Sequence, residues 1–111
     1  MPEEVWTEER CWIAELVNDP AIPDFSLARC RVEPGVTTQL HRLTVREWYV
    51  VEAGRGMMRL GDNEPRPIAA GEIVEIPAGA AQQVTNTADT DLVFQCVCLP
   101  RFTPDCYESL E

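Results

Sequence analysis

Few side chains in this sequence can do chemistry at neutral pH. The chain has one histidine, His41, with Glu47 six residues further on and Gln82 in the C-terminal half. An imidazole can move a proton or coordinate a cation, and a carboxylate or an amide oxygen can partner it in either task. Tyr49 shares Glu47's parity on an extended segment, so it offers a hydroxyl to the same face. Composition closes other routes. All nine basic residues are arginine, which removes Schiff-base chemistry and a lysine general base. The only serines are Ser26 and Ser109, and neither lies in the tight turn that exposes a nucleophilic serine.

The five cysteines, Cys11, Cys30, Cys96, Cys98 and Cys106, form an odd set with no basic, apolar leader ahead of them. They read as reduced thiols that act as small apolar residues. Cys96 and Cys98 lack the spacing of a zinc knuckle and share strand parity, which favours core packing.

The elements that must position these groups are strands. Cys11 to Val17, Ser26 to Glu33, Val36 to Leu43 and Glu47 to Glu52 are rich in β-branched, aromatic or alternating apolar residues. Gly56 to Leu60, a short edge segment at 66–70, Glu72 to Pro77, Gln82 to Thr87 and Leu92 to Leu99 follow. Pro34-Gly35, Gly54-Arg55-Gly56 and Pro77-Ala78-Gly79 separate them. Short strands at this density indicate an all-β, antiparallel barrel or jelly roll. Thr103, Pro104 and Asp105 give an N-cap, an N1 proline and a first-turn acid, so 103–111 is expected as a short C-terminal helix docked through Tyr107 and Leu110. Residues 1–9 form an arm with too little pattern to assign, although Trp6 is a large apolar group for such a segment.

At 111 residues, the chain suits one domain with one core. Its net charge of −10 and isoelectric point near 4.4 leave no basic patch to track phosphates, so no nucleic acid is expected as a partner. No apolar run approaches a membrane span. With its acidic, polar start, the chain is expected in the cytoplasm.

The turn residues and the chemical residues share one spacing. Gly35, His41, Leu43, Glu47 and Gly54 form a first set, and Gly71, Pro77, Gly79, Gln82 and Asn86 a second. The two sets resemble the two motifs of the cupin superfamily, with every glycine, proline and asparagine in place across residues 35–86. The resemblance implies a small cupin barrel whose interior holds two histidines, a glutamate and a third histidine around a divalent cation such as zinc, nickel, iron or manganese. Leu43 and Gln82 depart from that set. They leave His41, Glu47 and Gln82 as the metal-ligand candidates, a harder and weaker site in which the cation is loosely held or absent.

Glu47 as His41's partner would favour the imidazolium and raise its pKa. His41, Glu47 and Tyr49 are then the catalytic candidates, with Gln39 at the cavity mouth. Three readings stand open. The chain is a metal-dependent enzyme of oxygenase, isomerase or lyase type acting on a small organic molecule, a metal-free isomerase or dehydratase using His41, or a non-catalytic binding module for a small ligand. A homodimer is implied by the resemblance, with Trp6, Trp12 and Trp48 as candidate contacts.

Overall fold

A computed structural model describes residues 2–111. Eleven strands form two antiparallel sheets that face one another. The first sheet takes β1 (Val5–Trp6), β2 (Trp12–Val17), β3 (Ser26–Val32), β10 (Leu92–Leu99), β5 (Arg46–Ala53) and β8 (Ile73–Ile76), in that spatial order. The second takes β11 (Tyr107–Ser109), β4 (His41–Leu43), β9 (Gln82–Thr85), β6 (Arg55–Leu60) and β7 (Arg66–Ala69). The jelly roll is thus two separate sheets rather than a closed barrel. No helix among the described residues is long and apolar enough to cross a membrane.

Strand alternation sets what faces inward. In β5, Glu47, Tyr49 and Val51 are buried between more exposed neighbours. In β9, Gln82 and Val84 are buried, and in β10 Phe94, Cys96 and Cys98 share the inner face. Met58, Ile68, Val74, Ile76, Val84 and Leu92 are almost wholly enclosed and belong to the main core cluster. Tyr49 packs at 4.3 Å, centroid to centroid, on Phe94. Leu43, Cys98 and Cys106 form a second, smaller buried cluster.

The spaced glycine, proline and asparagine residues have identifiable structural work. Asn86 is buried and its side-chain amide donates to the carbonyls of Val32 (2.9 Å) and Thr90 (2.8 Å), while its Oδ1 accepts from Ala88 N–H. Gly54 adopts φ +82°, and a β-carbon there would meet the Asp91 carbonyl at 2.5 Å. The turn after Pro77 is tied back by Gly79 N–H donating to the Leu43 carbonyl at 2.7 Å, which sets the start of β9 beside β4.

Two expectations are corrected. Residues 103–111 do not form a helix: Pro104–Cys106 is one 3-10 turn and Tyr107–Ser109 is a strand paired with β4. Thr103 turns its hydroxyl to the Asp105 carboxylate and caps no backbone N–H, so a marginal helix yields to the exposed edge of β4. The strand expected over Val36 to Leu43 survives only as His41–Leu43, with an isolated bridge at Thr37 to Thr85. Arg10 reaches in from the arm and donates to the carbonyls of Thr37 (2.9 Å) and Thr38 (3.1 Å), groups a continuous ladder would otherwise use.

Candidate functional site

The strand registers bring the candidate residues together. His41 lies opposite Gln82 across β4 and β9, and Glu47 lies opposite Cys98 across β5 and β10. His41 and Glu47 therefore enter from different sheets and line one cavity of about 650 Å³ between them. Leu43 and Tyr49 also line it, and the N-terminal arm covers one side.

Each group's partners define its state. His41 is buried, its ring stacked on Tyr107 at 4.7 Å and 18°. Its Nδ1 donates to the Gln39 carbonyl at 2.8 Å, because a carbonyl can only accept. In the neutral ring this leaves the lone pair on Nε2, which faces Glu9 Oε1 at 3.6 Å. Burial lowers the His41 pKa, and the Gln39 carbonyl opposes that shift. The expected rise of the His41 pKa on Glu47 is thus corrected: the acid at its ring is Glu9, and desolvation of the imidazolium outweighs any attraction.

Glu47 is 5% exposed. Burial pushes its carboxyl up to about 7, with the Gln82 amide pulling it down and Glu9 adding to the rise. Its Oε2 accepts from the Cys98 thiol at 3.9 Å, a long contact, and its Oε1 is buried with no partner. Glu9 is also raised to about 7 by burial. Tyr49 donates its hydroxyl to Gln82 Oε1, leaving Gln82 Nε2 as the second unpartnered buried atom, and burial holds the Tyr49 pKa well above its ordinary value. Gln39 contributes its carbonyl to His41, and its side chain accepts from the Tyr107 hydroxyl.

Cys11, Cys30, Cys96 and Cys98 line the cavity as free thiols, with Cys30 and Cys96 sulfurs 3.3 Å apart. Contact with Cys30 and then burial raise the Cys11 thiol. Cys30, lowered by Cys11, is raised more by Cys96 and burial. Cys96, lowered by Cys30, is raised to about 12 by burial, as is Cys98, so the four are not thiolate nucleophiles at neutral pH.

Glu9 and Tyr107 are the residues that sequence reasoning does not place in the site. Both lie in segments read as arm and helix, and both arrive by long-range pairing. Gln39 N–H donates to the Glu9 carbonyl at 3.0 Å, and Tyr107 pairs with Leu43. An acid directly beside Arg10 gives no local signal of burial.

The sequence model of the cupin domain matches residues 28–98. The chain belongs to the cupin family. An uncharacterized protein of Methanocaldococcus jannaschii is 33% identical over 87 residues, covering 78% of this cupin and 69% of the relative. Among solved structures, a cupin 2 conserved barrel domain protein from Salinispora arenicola superposes with a TM-score of 0.76 at 26% identity, covering 87% of this chain and 81% of the other. A predicted oxalate decarboxylase from Thermotoga maritima gives 0.77 at 26% identity, with 89% and 91% covered.

Divalent cations are common in cupins, and the donors present in this one can be tested against that role. Leu43 offers no donor, Gln82 Oε1 is taken by Tyr49, and His41 Nε2 has one carboxyl, Glu9, within 4 Å. Among the described residues, no three His, Cys, Asp or Glu side chains are grouped so as to hold a metal ion. This donor set does not fit a resident divalent cation.

Proposed function

We propose that this cupin binds a small organic molecule in the cavity and moves protons on it, as an isomerase or dehydratase would. The observation that carries this reading is the unpartnered Oε1 of Glu47 in an otherwise largely apolar cavity that also holds the lone pair of His41. A buried carboxylic acid that keeps its proton near neutral pH is a general acid, and a neutral imidazole with a free Nε2 is a general base. In the proposed step His41 Nε2 takes a proton from a carbon next to a carbonyl, and Glu47 gives one to the carbonyl oxygen. Delivering the His41 proton to another carbon of the enol system, while Glu47 takes back an enol proton, completes an isomerisation. Delivering it to a departing β-hydroxyl, with the enol proton again returning to Glu47, expels water and completes a dehydration. Glu9 then accepts or returns the His41 proton across the 3.6 Å gap, with solvent at the arm.

The Thermotoga relative is described as a predicted oxalate decarboxylase. A small dianion does not suit this chain's cavity, whose wall contains no arginine and several carboxyls.

The test is solvent deuterium incorporation into a panel of enolisable ketones and aldehydes, neutral and amine-bearing, with a chelator present. Incorporation should survive chelation and fall by roughly a hundredfold or more in Glu47→Gln and in His41→Ala, the range expected on losing a general acid or base. Incorporation unchanged in both variants, or abolished by chelation, contradicts the proposal.

A further inference from the structure

We infer that the cavity selects an organic monocation, an ammonium group carried on an aromatic or branched aliphatic body. This rests on the cavity being the ligand site, and it names the ligand's charge and shape. The wall is mostly apolar, with Tyr49, Phe94, Phe102 and Tyr107 presenting rings. Among the described residues, its acids are Glu3, Glu8 and Glu15 together with Glu9 and Glu47, the last two titrating near 7, and no arginine lines it. The chain has no lysine to supply a cation from elsewhere.

Acidity alone would not make a binding site. The second observation is the Glu47 carboxyl, 5% exposed, with Oε1 buried and unpartnered. The groups around it offer little compensation. From β10 come the thiols of Cys96 and Cys98, from β9 the Gln82 amide, and from the arm another acid, Glu9. Only neutral groups, the Gln82 amide and two thiols, stand beside the Glu47 carboxyl to offset its ionisation, and a ligand that brings N–H donors and a positive charge to the cavity favours the ionised form. An alcohol brings one donor and no charge. A carboxylate adds a repulsive charge to an already acidic wall. Aromatic faces near a cation add a smaller attraction of the same sign. A volume of about 650 Å³ is ample for a single-ring amine.

Three matched probes read the selection directly: 2-phenylethylammonium, 2-phenylethanol and phenylacetate, titrated at pH 7.5 by calorimetry and by protein NMR. The ammonium should bind at least roughly tenfold more tightly than the alcohol, a gap of about 1.4 kcal/mol, and phenylacetate should show no saturable binding. Glu47→Gln should shrink the ammonium–alcohol gap and leave the alcohol's affinity unchanged. Glu9→Gln, a nearly isosteric change on the arm, should shrink it by a smaller factor. Alcohol binding as tight as ammonium, binding of phenylacetate, or no binding of the ammonium overturns the inference. The acid–base reading is judged separately by deuterium incorporation, which does not depend on these three probes.

Discussion

Burial, rather than pairing, governs the chemistry of the individual side chains. Glu47 and His41 sit in one cavity, yet each is pushed toward its neutral form, the acid up to about 7 and the imidazole downward. The consequence for stability has a definite sign. The folded pKa of Glu47 exceeds its ordinary 4.5, so its stabilising contribution is complete below about 4.5 and is lost as pH rises through about 7. His41 works the other way: its contribution is present above its ordinary 6.5 and lost as pH falls. Glu47→Gln removes only the first effect. Its stability relative to the parent should therefore rise by about 3 kcal/mol between pH 4.5 and 8, followed by denaturant unfolding at each pH. A flat difference would mean that Glu47 ionises freely. The two departures from the family's ligand set give a second expectation. Restoring imidazoles with Leu43→His and Gln82→His should yield a protein that retains nickel after dialysis, while the parent retains none by elemental analysis.

At the level of strands and turns, the spaced motif is mostly architecture. Asn86 ties together the backbone of three segments, and Gly54 lets the chain pass Asp91 where no β-carbon fits. Asn86→Ala should cost about 2 kcal/mol or more, because the Val32 and Thr90 carbonyls lose their donor. Gly54→Ala should cost a similar amount from the clash and the positive φ together, and both are read from urea midpoints. These turn residues made the fold legible, since their spacing and the strand alternation are local properties of the chain. The C-terminus was not legible for the opposite reason. Thr103-Pro104-Asp105 is a sound local helix start, but β4 has an open edge, and Tyr107 gains both that ladder and the face of His41. Glu9 was hidden likewise, because its burial depends on Arg10 and Gln39 anchoring the arm across the cavity.

For the whole molecule, two facing sheets supply a rigid frame, and the arm completes the wall of the cavity. Glu4 pairs with Arg31, and Arg10 with Glu111, so the N-terminal segment is fastened to β3 and to the C-terminal residue. The acidic composition, read from sequence only as a bar to nucleic acid, acquires a second meaning once Glu3, Glu8, Glu9, Glu15 and Glu47 are seen around one cavity. The central claim is that burial raises the Glu47 carboxyl so that it titrates near neutral pH. Carbon-13 NMR of glutamate labelled at Cδ, assigned by Glu47→Gln and Glu9→Gln, tests it most directly. The Glu47 carboxyl should titrate with a midpoint near 7. A midpoint in the ordinary glutamate range, about 4 to 5, would contradict it.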